Sequence, residues 1–452
     1  MAASLWARLR GETGLALART FLAKGVSAFG ALALVVVVGQ LYGPAGVGVY
    51  ALAQSILLGS GILARRGMDN ALMRFVGRDF ESPKVSSYLY WVGRRGLCIS
   101  IPLSVGVFLL RDHMEHFFSM PGLSPMLMGF AFAIPFYTWS FLLAGFFKGV
   151  RKPATAGLQE NGAISLVAGA LLLCLHATDR GWPADLSLLG WVYLIAAAMI
   201  AAQGHMIAWL WLRRVRRDEK PHAIPQEDKR EFRGASLSFF IMGMAGFMQS
   251  VLSVLIAGKF LGSEELGLFK SAQQIAISVA FVLMVINAIF PPRFATLYHQ
   301  GSMAELGITA RRAALLGLAL SSPFLLACLL VPEWILSLMG DGFGPAGNLL
   351  RILAVAQFVN VATGSVGFLL NMTGHDRIMR NIALCCSSIG LLGFFVLSPW
   401  LGALGASLAL AFVLVAQNLV AMVAVWLKLG IWTMPGPNWL ALLGVRSHQH
   451  CD

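Results

Sequence analysis

The sequence has 452 residues, of which 58% are hydrophobic and 12% charged, and its formal net charge is +13. Soluble domains carry roughly 25% charged residues, so the composition excludes an ordinary water-soluble globular protein, as does the mean hydropathy of +0.74. The positive charge argues against a nucleic-acid partner, because Lys and Arg are confined to short segments between apolar runs, which is their place in a membrane protein.

In chain order, a short basic segment (Arg8, Arg10, Arg19, Lys24) comes first. The long apolar run behind it lacks a small-residue cleavage site and reads as a retained first helix rather than a signal peptide. Residues 4–17 form a candidate amphipathic stretch on the inner membrane surface, weakened by Gly11 and Gly14. Apolar runs long enough for a bilayer then fall at 22–41, 47–64, 89–110, 124–146, 154–176, 186–212, 236–258, 266–290, 313–331, 347–370, 381–398 and 402–427. They are continuous rather than alternating, which selects helices over a barrel. The expected fold is therefore an all-α integral membrane protein of about twelve transmembrane helices in two six-helix bundles. In the third span Arg94 and Arg95 are expected to snorkel to the headgroups.

With the N-terminus inside, 29 of the 34 Lys and Arg residues fall on the cytoplasmic side. That bias sets both termini in the cytoplasm. The remaining five are Arg111, Arg180, Lys259, Lys270 and Arg351. The expected organisation is an N-terminal lobe at 1–215, a solvated basic connector at 216–234, a C-terminal lobe at 235–430 and a cytoplasmic tail at 431–452. No outer loop is large enough to fold as a domain. This disfavours a membrane polymerase or ligase, which needs such a loop for its acid and base residues. Of the six cysteines, five (all but Cys451) lie in apolar runs and none forms a CxxC pair, so they read as small apolar side chains. No metal cluster, phosphate loop, nucleophile elbow or paired-carboxylate pattern occurs, and no cofactor or ATP-driven step is expected.

The chain repeats itself. Residues 42–56 (YGPAGVGVYALAQSI) and 261–275 (LGSEELGLFKSAQQI) match at Gly43/Gly262, Gly48/Gly267, Ala53/Ala272, Gln54/Gln273 and Ile56/Ile275, an offset of 219. Both join the first two spans of a half. Because each half has an even number of spans, the halves are expected to lie parallel, a transporter architecture.

The tract LYGPAGVGVYALAQSILLGSGILARRGMDNALMRFVG (41–77) resembles polysaccharide exporters of the multidrug/oligosaccharidyl-lipid/polysaccharide (MOP) flippase superfamily, including Wzx-type O-antigen flippases. The carriers are Gly43-Pro44, Gly48-Val49-Tyr50 and Arg74-Phe75, echoed in the second half by Pro292-Arg293-Phe294. Phe269, where Tyr is commoner, and Lys270 after it depart from the pattern. The resemblance implies a secondary transporter, not an enzyme, in the cytoplasmic membrane. It would flip polyprenyl-diphosphate-linked oligosaccharide to the outer leaflet by alternating access, through a polar cavity lined largely by spans 1, 2, 7 and 8. Membrane lipids and polysaccharide assembly proteins would be its partners. The rival within the superfamily is a small-molecule exporter of the multidrug and toxin extrusion type.

Ionisable groups in spans are costly and mark function by default, except at span ends. Lys259 and Lys270, with Gln273 and Gln274, read either as an outer cationic mouth for diphosphate or acidic sugar or as snorkelling lysines. Lys270 and Gln274 share a helix face. Arg351, in the tenth span, is a further candidate for anion contact. Inside, Lys24, Arg66, Arg74 and Arg293 are candidates to collect the diphosphate, or plain positive-inside charge. Glu160, in QENGA, is either a proton-coupling carboxylate inside span five or an interfacial group paired with Arg151 or Lys152. Gln54, Asn360, Gln417 and Asn418 read as interhelical hydrogen-bond glue.

Overall fold

A computed structural model describes residues 12–80, 82, 84–178, 185–215 and 223–434. In chain order the helices are α1 (Glu12–Arg65), α2 (Met68–Arg78), α3 (Lys84–Phe118), α4 (Leu123–Gly149), α5 (Pro153–Gly157), α6 (Asn161–Ala177), α7 (Leu186–Val215) and α8 (Gln226–Phe247). A π-helical turn, Met248–Leu252, leads into α9 (Ser253–Phe260). Then follow α10 (Ser263–Val279), α11 (Phe281–Ile289), α12 (Pro291–His299), α13 (Met303–Leu330), α14 (Pro332–Ser337), α15 (Gly347–Thr363), α16 (Val366–Met372) and α17 (Asp376–Leu429).

Nine helices among the described residues are long and apolar enough to cross a membrane. Two of these, α1 and α17, are broken by a glycine in a conformation that L side chains rarely adopt, Gly43 at φ 65° and Gly402 at φ 58°. Each therefore supplies two spans. With α6, a shorter apolar helix, every one of the twelve expected runs coincides with helix. The protein is a multi-pass membrane protein, all-α among the described residues. The candidate amphipathic stretch at 4–17 falls mostly outside them.

The chain forms two compact units, Met1–Gly267 and Leu268–Asp452. In the first, Tyr50 lies edge-on to Phe130 (6.2 Å between ring centroids), which stacks on Tyr193 at 4.6 Å. A second cluster at the inner end joins α2, α3, α4 and α8 through Leu72, Phe75, Tyr88, Phe147 and Phe232. In the second unit, Phe294 of α12, Leu306 of α13, Leu370 of α16 and Val425 of α17 meet in one core.

The expected connector at 216–234 is only partly one. Residues 226–234 belong to α8 and pack within the first unit through Phe232. Pro225 ends the loop and starts the helix, while Glu227 and Asp228 fall in its first turn, where acidic groups complement the helix dipole.

The repeat has structural counterparts. The same offset of 219 carries Arg74 onto Arg293 and Phe75 onto Phe294. Both pairs sit on short helices, α2 and α12, with the Phe buried and the Arg exposed. Pro44 and Gly48 correspond by that offset to Ser263 and Gly267, and these four residues meet. A Cβ on Gly48 would collide with the Ser263 carbonyl, and one on Gly267 with the Pro44 carbonyl. The matched pair Gly43 and Gly262 is not equivalent in use: Gly43 takes positive φ, whereas Gly262 does not and has open space around it.

Candidate functional site

The polar interior of the first unit is built around a break in span five. After α5, Gln159 and Glu160 leave the helix, and Glu160 is extended at φ −91°, ψ 168° before α6 begins. Glu160 therefore lies at the head of a helix, not several residues inside one. The break holds because Gln159, which is fully buried, finds its bonds elsewhere. The Ser140 hydroxyl lies 2.9 Å from its backbone carbonyl and 3.1 Å from its Oε1, and its Nε2 donates to Gln203 Oε1 at 3.1 Å. An interrupted helix leaves carbonyls without partners, and Ser140 on α4 takes that role. The break also lets the Tyr193 hydroxyl donate to Asn161 Oδ1 at 2.8 Å.

Glu160 forms an ion pair with Lys148 at 2.9 Å; the expected partners were Arg151 and Lys152. The last turn of α4 delivers Lys148 there, while Arg151 stacks on Phe80, 4.7 Å from the ring centroid. Arg65, at the end of α1, is 7% exposed. Its Nε donates to the Gly61 carbonyl at 3.0 Å, its Nη1 pairs with Asp69 at 3.2 Å, and its guanidinium sits 4.1 Å from the Phe141 ring centroid. Sequence reasoning singled out neither Arg65, Lys148 nor Ser140. Two of them look like ordinary interfacial charge, and a lone Ser in an apolar span gives no signal.

Each of the other candidates has its own local setting. Arg66, at φ 45°, Arg74 and Arg293 are exposed on short inner connections. Lys24 lies on α1, with its side chain outside the described set. Lys259 donates to the Phe117 carbonyl and lies 4.2 Å from the Phe117 ring centroid, at the outer end of α3. Lys270 donates to Gln273 Oε1 at 3.2 Å rather than to Gln274, and has no ion-pair partner among the described residues. Arg351 is committed to Glu333 at 3.0 Å, Asn348 at 3.0 Å and the Leu329 carbonyl at 3.2 Å.

Three of the four expected glue amides have a partner on their own helix, and Gln54 also reaches Tyr193 on α7. Gln54 Nε2 donates to the Tyr50 hydroxyl at 2.7 Å, Asn360 to Gln357 at 2.9 Å and Asn418 to the Leu414 carbonyl at 2.8 Å. Residues three and four apart are neighbours on a helix, and that partner is in reach before any other span arrives. Among the described residues no three His, Cys, Asp or Glu side chains are placed to hold a metal ion. All five described cysteines are free, with Cys98, Cys174 and Cys385 exposed rather than buried.

A multi-pass helical membrane protein with glycine-broken spans and a repeated half is the class that these features define, and known structures share its fold. The lipid II flippase MurJ in an inward closed conformation aligns with a TM-score of 0.70 at 10% identity, covering 91% of this chain and 87% of that one. A multidrug resistance MATE family transporter of the MOP superfamily, inward-facing, gives 0.59 at 16% identity, covering 95% and 96%. A MOP superfamily transporter from Pyrococcus furiosus gives 0.57 at 14% identity, covering 93% and 97%. No curated protein sequence matches the chain. The polysaccharide biosynthesis protein family model matches residues 18–297, more than half of the chain, and the MatE model matches 239–396. The chain belongs to the polysaccharide biosynthesis protein family and has the MOP-superfamily fold.

Proposed function

We propose that the protein flips a polyprenyl-diphosphate-linked oligosaccharide from the inner to the outer leaflet of the cytoplasmic membrane, by alternating access of its two sequence halves. The family match over residues 18–297 carries this reading. Charge supports it. Every carboxylate among the described residues lies in a connector or within about two turns of a helix end, and Lys270, about two turns into α10, has an amide neighbour and no acid partner among the described residues. A fixed cation without a carboxylate suits diphosphate or acidic sugar rather than a cationic drug. The chain's task would be to lower the barrier for a polar headgroup crossing hydrocarbon while the lipid tail stays in the bilayer. No bond would be made or broken. Lys270, Gln273, Gln274 and Lys259 would receive the headgroup outside, with Lys24, Arg66, Arg74 and Arg293 collecting it inside.

The MatE match over residues 239–396 favours a second reading, extrusion of a small molecule. Reconstitution separates the two. Vesicles holding the protein and a defined lipid-linked oligosaccharide should show leaflet exchange well above empty vesicles. Uptake of a cationic dye without any lipid exchange would replace the first reading with the second. Deletion in the native host should leave inward-facing lipid-linked repeat units accumulating.

A further inference from the structure

We propose that residues 226–236 form a releasable clasp at the inner end of α8, and that opening the inner face requires this clasp to let go; the second clause rests on the alternating-access reading above. Asp228, Glu231, Phe232 and Ser236 follow one another at i, i+3, i+4 and i+8, which places them on one helix face. Each has a partner more than 140 positions away in sequence. Asp228 pairs with Lys84 at 3.0 Å and Glu231 with Arg78 at 2.6 Å, at separations of 144 and 153 residues. The Ser236 hydroxyl donates to the Arg66 carbonyl at 2.6 Å, across 170 residues. Arg66 and Gly67 both have positive φ, so the turn between α1 and α2 breaks the helical ladder there and offers that carbonyl sideways. Between the polar contacts Phe232, 1% exposed, plugs a cage of Phe75, Trp91 and Tyr88, with ring centroids 5.1, 5.2 and 6.0 Å away.

The composition of the contact marks it as reversible. The two ion pairs keep between 31% and 49% of their side-chain surface exposed, so water and salt can replace them at little cost. One aromatic plug ringed by such pairs holds without locking. Farther along the same span the contact with α1 changes character. There a Cβ on Gly258 would sit 2.8 Å from the Leu52 side chain, and one on Gly59 would sit 3.1 Å from Val251. Close packing of this kind has no solvent substitute; it also holds the end of the clasp, where a Cβ on Gly67 would collide with the Ser236 carbonyl, so release starts at the solvated pairs of Asp228 and Glu231 and at Phe232.

The test uses the full-length protein in liposomes, with its native cysteines replaced and nitroxides placed on Asn70→Cys and Arg230→Cys, both exposed beside the clasp. Two distance populations are expected. Phe232→Ala and Glu231→Arg should each shift the population towards the longer distance, and Arg78→Glu combined with Glu231→Arg should restore the shorter one. A single short distance, unchanged in every variant, would overturn the clasp. Separately, Arg78→Cys and Glu231→Cys joined by a cleavable thiol cross-linker should lower exchange of lipid-linked oligosaccharide at least tenfold, with recovery on cleavage. Wild-type exchange in the cross-linked protein overturns the requirement for release. If the protein moves no lipid-linked sugar even without the cross-link, the cargo reading falls and the two distance populations still decide the clasp.

Discussion

Gly48 and Gly267 face each other's turns so closely that neither has room for a methyl group: Gly48 abuts the carbonyl of Ser263 and Gly267 that of Pro44. The two glycines are related by the internal repeat, and so are their partners. The contact is thus reciprocal, with each half presenting the same notch to the same carbonyl of the other. Close backbone approach of this kind is what small residues supply in membranes, where hydrophobic burial gives no drive for helices to associate.

Gly48→Ala and Gly267→Ala should each destabilise the protein by about 1–3 kcal/mol, the usual cost of overpacking, read as a lower midpoint of thermal unfolding in detergent. Gly43→Ala should cost about 1–2 kcal/mol for a different reason, its positive φ, because nothing crowds that position. Gly262→Ala, with neither constraint, should leave the midpoint unchanged. Equal effects at Gly43 and Gly262 would remove the distinction.

Ser140→Ala takes a donor from two buried acceptors of Gln159 at once. Leaving a buried polar group unsatisfied costs about 1–3 kcal/mol, and the loss should appear as a lower unfolding midpoint together with faster amide exchange in residues 157–162. Ser140→Cys, with a weaker donor of similar shape, should fall between.

Glu160→Gln removes the charge that Lys148 pairs with. The pair is partly exposed, so the stability change should stay within about 1 kcal/mol. If Glu160 couples transport to protons, exchange driven by a pH gradient should fall to the rate without one. Gradient-driven exchange at the wild-type rate in this variant rules the coupling role out.

Asp185 precedes α7 and accepts from the Ser187 hydroxyl at 2.7 Å and from its backbone N–H at 3.2 Å. These bonds, the hydroxyl's first, hold its carboxyl below the usual range. A lowered folded value means the unfolded chain takes up protons first as pH falls. The stabilisation is therefore complete above the unfolded value of about 3.9 and disappears as pH drops through the lower folded one. Asp185→Asn should be less stable than the parent at neutral pH, with the gap closing below about pH 4. A gap that stays constant across that range would contradict the assignment.

The twelve spans were legible because hydropathy alone demands them. Gly43 and Gly48 stood out because the repeat marks them. Three things were hidden for physical reasons. The docking of residues 226–234 depends on Phe232 meeting Phe75 and Tyr88, partners about 150 positions away, while its charge density looks like a solvated loop. The helix break at Gln159 and Glu160 is decided by Ser140 on another span, not by a local breaker. Lys148 rather than Lys152 meets Glu160 because the last turn of α4 extends to Gly149 and aims it. Of the site, Gln159 and Glu160 were visible in the sequence, whereas Ser140, Arg65 and Lys148 were not, because tertiary geometry sets their pairings.

The amides of Gln54, Asn360 and Asn418 each bond to a residue three or four positions earlier on the same helix. This bears on biogenesis. A segment leaving the translocon carries those partners with it, so it can partition into lipid before any neighbour has been synthesised. None of the three need wait for its companion to shed an exposed amide. Assembly of the bundle can then proceed one hairpin at a time, without a polar debt to settle at each step.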